Sequence, residues 1–151
     1  RYRKFLSQLL NPLQEKISKG ASGLDFGSGP GPTLSLMLED FGHSVDLYDK
    51  FYAKNDVVFE KQYDFITASE VVEHLKQPLV ELSRLMGLLK SDGILAIMTE
   101  ILTPQIDFSQ WYYKKDPSHI GFFSEKTLKY LAEKWQAELY VISNRVVIFK
   151  K

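Results

Sequence analysis

The feature that most constrains this chain is Gly27-Ser28-Gly29-Pro30-Gly31, three glycines at alternate positions between an apolar segment and a helical one. Ser22-Gly23-Leu24-Asp25-Phe26 precedes the glycines and reads as a strand. The stretch from about Pro32 to Asp40 follows, with Leu34, Leu36, Met37 and Leu38 expected to pack inward. Glycine tolerates positive φ and lets the backbone approach a neighbour or a ligand closely, so a strand ending here can turn sharply into a helix. Pro32 suits a first helical position, where its missing N–H costs nothing, and Gly42 suits the helix end. Strand, glycine turn and helix together open a βαβ unit, and the rest of the chain has to be compatible with a parallel sheet.

The pattern downstream continues it. His43 to Tyr48 reads as a second strand ending at Asp49, Val57-Val58-Phe59 as a short third, and Tyr63 to Ala68 as a fourth, followed by a helical turn from Glu70 to Leu75. Pro78 opens a helix with Leu79, Leu82, Leu85, Met86 and Leu89 on its apolar face, and Ser91-Asp92-Gly93 signals a turn. Ile94 to Thr99 is the fifth strand, apolar as a strand buried on both faces should be. An aromatic-rich connection from Glu100 to Phe123 leads to Ser124, an N-cap for a helix carrying Leu128, Leu131, Ala132 and Trp135. Leu139 to Ser143 and Val146 to Phe149 form a closing hairpin around Asn144-Arg145. Near the start, Phe5, Leu6, Leu9, Leu10, Leu13 and Ile17 have helical spacing, with Pro12 predicting a kink or two short helices. The fold class is therefore α/β: a Rossmann-like three-layer α/β/α sandwich with a mostly parallel seven-stranded sheet and an antiparallel C-terminal hairpin strand.

Composition narrows the function classes. At 151 residues the chain has the length of one domain, 1–151, and its start at Arg1 without Met leaves room for an upstream segment. Nineteen basic and nineteen acidic side chains cancel, so no global field points to nucleic acid or an anionic membrane. There is no cysteine, hence no disulfide and no thiolate nucleophile or ligand. Apolar runs are strand-length, too short to cross a bilayer, and nothing resembles a signal peptide, so a cytoplasmic location is expected. The sequence is silent on oligomeric state.

In open sheets of this kind ligands bind beyond the carboxyl ends of the strands, where the winding reverses. The conspicuous polar residues gather there: Gly27 after the first strand, Asp49 after the second, Ser69 and Glu70 after the fourth, Glu100 after the fifth. A carboxylate ending the second strand can accept both hydroxyls of a ribose. The dinucleotide pattern G-x-G-x-x-G would need glycine at position 32, where this chain has proline, so a nicotinamide-dependent oxidoreductase is the poorer reading.

Leu24 to Gly31 resembles the first motif of class I S-adenosylmethionine-dependent methyltransferases, and Tyr48-Asp49 is similar to their second-strand acidic position. Tyr63 to Leu75, with Glu70-Val71-Val72-Glu73-His74-Leu75, resembles the fourth strand and turn of ubiquinone-biosynthesis-like members. Leu88 to Gly93 matches the turn before their fifth strand except at Ser91 and Asp92. Trp111 to His119 with Phe122-Phe123-Ser124 is similar to a bacterial subgroup of small members.

The resemblance implies S-adenosylmethionine as cofactor, S-adenosylhomocysteine as product and a small-molecule acceptor. Asp25, Gly27, Ser28, Gly29 and Gly31 would cradle the methionyl end, Asp49 the ribose, Tyr48 or Phe51 the adenine, with Ser69 and Glu70 near the sulfonium. Of the three histidines, His119 and His74 are candidates for a general base, and His119 with Tyr112 and Tyr113 for the acceptor pocket; Trp111 and Phe123 are expected to be structural. His43 is expected at the surface. No metal is expected, the one carboxylate–histidine grouping being Glu73 with His74 or His119. A cofactor-binding module without turnover is the alternative.

Overall fold

The computed structural model describes residues 1–151. In chain order the helices are α1 (Tyr2–Gln14), α2 (Thr33–Asp40), α3 (Pro78–Leu88) and α4 (Glu125–Trp135). The strands are β1 (Ser22–Phe26), β2 (Ser44–Tyr48), β3 (Tyr63–Ser69), β4 (Leu89–Met98), β5 (Ile101–Leu102), β6 (Phe123–Ser124), β7 (Glu138–Val141) and β8 (Val146–Lys150). Six strands form one sheet in the order β2-β1-β3-β4-β8-β7, while β5 and β6 make a separate pair. β1 to β4 are parallel; β8 runs antiparallel to β4, and β7 antiparallel to β8. The winding reverses at β1, which lies between β2 and β3, so the switch point falls at the glycine turn.

Alternation along the central strands builds two cores. Ile66, Leu95, Ile97, Val147 and Phe149 pack with Leu82 and Leu85 of α3 and Leu128 and Leu131 of α4. Phe65, Ile94, Ala96, Met98, Val146 and Ile148 face the other way, onto Leu6, Leu9, Leu10 and Leu13 of α1 and Leu34 and Leu38 of α2. Each fully buried leucine contributes about 1.5–3 kcal/mol. The three-layer α/β/α class follows from this division. Ser124 caps α4 as expected, its Oγ accepting from the Thr127 N–H at 3.3 Å. No helix is long and apolar enough to cross a membrane.

Several local expectations are corrected. The main sheet has six strands, not seven, because Val57-Val58-Phe59 lies in a 3₁₀ turn, Asp56–Glu60. Only eight residues separate Tyr48 from Val57, fewer than a parallel crossover needs, and the Asn55 side chain accepts the Val57 N–H locally instead. β2 is left as an edge strand. Pro12 does not split the first helix: it lies in the last turn of α1, where little helix remains to disrupt. Leu36 and Leu79 are exposed, because the inward stripe of α2 is Leu34, Met37 and Leu38 and that of α3 is Leu82, Leu85 and Met86.

His43 is not a surface residue. It is buried, edge-on to Phe65 at 5.7 Å, and its Nδ1 accepts the Ala21 N–H at 3.1 Å. The ring proton must then reside on Nε2, which donates to Gln14 Oε1 at 3.1 Å and pins the end of α1 to the starts of β1 and β2. Burial lowers the His43 pKa below its ordinary 6.5. With the folded value depressed, the unfolded chain binds the proton first as pH falls. The contribution of His43 to stability is complete above about pH 6.5 and is lost as pH drops through the folded value. Urea titrations from pH 8 to pH 5 should show a fall in stability that His43→Gln lacks; identical pH profiles for the two chains would refute this.

Candidate functional site

At the carboxyl edge of the sheet the chain turns from β1 through Gly27 and Gly29, both at positive φ (78° and 68°). A Cβ on Gly27 would lie 2.4 Å from Val71 Cγ2, so the glycine is required by close approach of the turn after β3. Cβ atoms on Gly29 and Gly31 would meet only open space. The turn is folded against the end of β2: the Gly27 and Ser28 N–H groups both donate to Tyr48 O, at 2.7 and 3.2 Å.

Asp49 completes this clasp. Its Oδ2 accepts the Gly29 N–H at 2.9 Å, and its Oδ1 accepts the N–H groups of Phe51 (2.8 Å) and Tyr52 (3.1 Å). Three of the roughly four lone-pair directions of the carboxylate are thereby engaged. The Oγ of Ser28 is buried without a partner. A cleft of 580 Å³ opens here, lined among others by Gly27, Tyr48, Asp49, Phe51, Val71 and His74, within the usual range for small-molecule sites.

Asp25 lies beneath the turn rather than in the cleft. It is buried and accepts from Thr67 Oγ1 at 2.8 Å. Burial raises its pKa to about 6 against the opposing Thr67 hydrogen bond, and the Asp49 charge adds to the rise.

A second polar assembly sits at the ends of β3 and β4. Glu70, in the left-handed region at φ 53°, pairs with Arg145 Nη1 at 3.3 Å. Arg145 Nη2 pairs with Glu100 at 3.0 Å. Glu100 also accepts from Trp111 Nε1 at 3.0 Å and from the Tyr112 hydroxyl. Glu73 is fully buried; its Oε1 accepts the Tyr113 hydroxyl at 2.5 Å and its Oε2 the Thr99 hydroxyl at 3.2 Å. Burial raises the Glu70 pKa, and the neighbouring Glu73 reinforces the shift while Arg145 opposes it.

Of the predicted residues, Gly27, Tyr48, Asp49, Phe51 and His74 share the one cleft. Phe51 is largely exposed at its mouth, while the Tyr48 ring stacks on Phe26 at 5.5 Å. Ser69 turns its hydroxyl to Met98 Sδ at 3.6 Å. Tyr113 is buried, whereas the Tyr112 ring is exposed; Trp111 and Phe123 are buried, as a structural role requires. His119 lies against Tyr113 and 4.8 Å, ring to ring, from His74.

Sequence reasoning passed over Arg145 and Thr99. The available signal was topological: the turn of a hairpin whose last strand opposes β4 must land at the carboxyl edge, and Arg145 occupies that turn.

A family described as "Methyltransferase domain" matches residues 1–143. No protein of curated function matches the chain. Among solved structures, a S-adenosylmethionine-dependent methyltransferase from Archaeoglobus fulgidus superposes with a TM-score of 0.73 at 19% identity, over 100% of this chain and 95% of that one. A Burkholderia thailandensis 1,6-didemethyltoxoflavin-N1-methyltransferase, solved with 1,6-didemethyltoxoflavin and S-adenosylhomocysteine, gives 0.67 at 18% identity, over 99% and 77%. A Galdieria sulphuraria protein, named for sarcosine and dimethylglycine methylation, gives 0.71 at 19%; 91% of this chain is covered but only 63% of that one, under two thirds of its length. At these identities the superpositions show a shared fold.

Proposed function

Because this chain belongs to the methyltransferase-domain family, we propose that its Gly27–Gly31 turn and Asp49 hold S-adenosylmethionine and that it methylates a small acceptor presented from the Glu100–Phe123 side. The observation that carries the reading is the clasp of Asp49 Oδ2 on the Gly29 N–H, 2.9 Å, at the wall of the 580 Å³ cleft. The residues suit the cofactor. Gly29 and Gly31 leave the space a ligand would fill beside the turn. Asp49 would take a ribose hydroxyl on the lone-pair direction that the Gly29, Phe51 and Tyr52 N–H groups leave free, and Tyr48 or Phe51 would flank the adenine.

When bound, S-adenosylmethionine supplies a methyl carbon already activated by its sulfonium. What the chain adds is alignment of the acceptor and exclusion of water, which can account for much of a rate enhancement. The Ser69–Glu70 corner and the Glu100–Arg145 pair form the polar wall on the acceptor side. The buried Tyr113 packs with the rings of Trp111 and Phe122, and its hydroxyl holds Glu73 beside them. His119 and His74 are the proton acceptors available on that side, in keeping with an acceptor that must lose a proton.

Calorimetric titration of the protein with S-adenosylmethionine, S-adenosylhomocysteine and NAD tests the reading. One equivalent of each sulfur compound should bind, with no heat from NAD. Saturable NAD binding and silence toward both sulfur compounds would overturn it in favour of a nicotinamide site.

A further inference from the structure

We propose that Glu73, His74 and His119 form a binding site for one divalent transition-metal ion at the border between the cleft and the Glu100–Phe123 connection. A carboxylate oxygen of Glu73 and one ring nitrogen from each histidine lie within 4.8 Å of one another. These residues come from segments more than forty positions apart, so their convergence is a product of the fold.

The tautomer of each ring is set by the backbone. His74 Nδ1 lies 2.9 Å from Ser118 O, and His119 Nδ1 lies 2.6 Å from Tyr113 O. A carbonyl oxygen only accepts, so each Nδ1 carries a proton, and the lone pair of the neutral imidazole falls on Nε2. Donation of one ring N–H to a backbone carbonyl, which fixes the other nitrogen as the donor atom, is the usual support of a metal-bound histidine. The lone pairs moreover face carboxylates. His74 Nε2 is 4.0 Å from Glu73 Oε1, and His119 Nε2 is 3.7 Å from Asp116 Oδ2. Acceptor set against acceptor is an arrangement that a cation satisfies.

The support is built from both sides. The N–H groups of Ile120 and Gly121 donate to Glu73 O at 2.8 and 3.0 Å, lacing the loop that carries His119 to the turn that carries Glu73 and His74. Asp116 stiffens the loop by accepting the Ser118 N–H and hydroxyl at 2.9 and 2.6 Å. Glu73 is fully buried and held by Tyr113 and Thr99, which would remain as outer partners of a ligating carboxylate. His74 lines the open cleft and gives an ion a way in. An ion with bonds of about 2.0–2.2 Å holds adjacent donors about 3–3.5 Å apart, so side-chain rotations of about an ångström complete the set. Two imidazoles and one carboxylate suit zinc, manganese, iron or cobalt better than calcium or magnesium, which prefer oxygen alone. Three protein donors also leave positions open for water or for an oxygen of a second molecule.

An ion here would occupy the two Nε2 lone pairs offered above as proton acceptors, so the two roles exclude each other. The test of the ion uses the chain without any methyl donor and is separate from the test of the cofactor. Titration with Co²⁺ and Zn²⁺, followed by visible absorption for cobalt and calorimetry for zinc, should show one saturable equivalent. His74→Ala should weaken it at least tenfold, and His74→Ala/His119→Ala should abolish it, with helix content checked by circular dichroism. Should the double variant unfold, the wild-type chain decides: Co²⁺ should shift or broaden the NMR ring signals of His74 and His119 and leave those of His43 unmoved. Absence of saturable binding, binding unchanged in a folded double variant, or equal perturbation of all three histidines would overturn the proposal. Loss of S-adenosylmethionine binding with cobalt binding intact would refute the cofactor reading alone.

Discussion

Asp49→Ala is expected to weaken S-adenosylmethionine binding by about a hundredfold or more. The carboxylate acts twice in the proposed site. It would accept a ribose hydroxyl on its one free lone-pair direction, and it already holds the N–H groups of Gly29, Phe51 and Tyr52, which fix the glycine turn and the mouth of the cleft. A hydrogen bond to a charged group contributes about 1.5–3 kcal/mol, so losing the ribose contact together with the Gly29 N–H bond that shapes the turn amounts to roughly 3 kcal/mol, or more than two decades in affinity. Asp49→Asn keeps one carbonyl oxygen and should fall between. Calorimetry on the three chains checks the order, and wild-type affinity in Asp49→Ala would remove Asp49 from the site.

Replacement of Arg145 by Met should lower global stability by about 2–4 kcal/mol. The guanidinium is the shared partner of Glu70 and Glu100, at 3.3 and 3.0 Å, and only about a fifth of its side chain is exposed. Removing one member of a fully buried pair costs about 3–5 kcal/mol, because the remaining charge is left uncompensated; the partial exposure of Glu70 reduces the figure. Lysine at 145 cannot reach both carboxylates with the same fork and should restore only part of the loss. Adding Glu100→Gln to Arg145→Met should recover stability, since it removes a stranded charge. Urea unfolding measures all four chains. A loss under about 0.5 kcal/mol for Arg145→Met would show that the two carboxylates are adequately solvated without it.

Much of this architecture was legible from the order of residues, and the reasons differ by element. The glycine turn was readable because strand-end chemistry is local: a few adjacent residues fix the bend, whereas the bond from the Gly29 N–H to Asp49 spans twenty positions and appears only once β1 and β2 are paired. The doubly apolar β4 and the capped α4 were readable for the same reason. The third strand was misread because three β-branched and aromatic residues look alike in a strand and in a 3₁₀ turn. The short span from Tyr48 to Val57, a matter of connection length rather than residue type, decides between them. His43 was misplaced because its burial depends on Ala21 and Gln14, neither adjacent to it in sequence. Arg145 and Thr99 were invisible as site residues for a related reason: what they do is defined by Glu70, Glu73 and Glu100, which only the packed sheet brings to them.

The clasp around Gly27, Gly29 and Asp49 is drawn from residues 26–52, while the polar assembly at the ends of β3 and β4 is drawn largely from residues 99–145. The two halves meet through the short corner of Glu70 to His74. Such a layout separates inheritance from innovation. With the acceptor side proposed above, the later half can exchange loop residues and so change what it admits, with the earlier half untouched, provided the corner keeps its shape. Drift in these proteins should therefore be unequal along the chain, slow before the corner and at it, fast in the connection beyond.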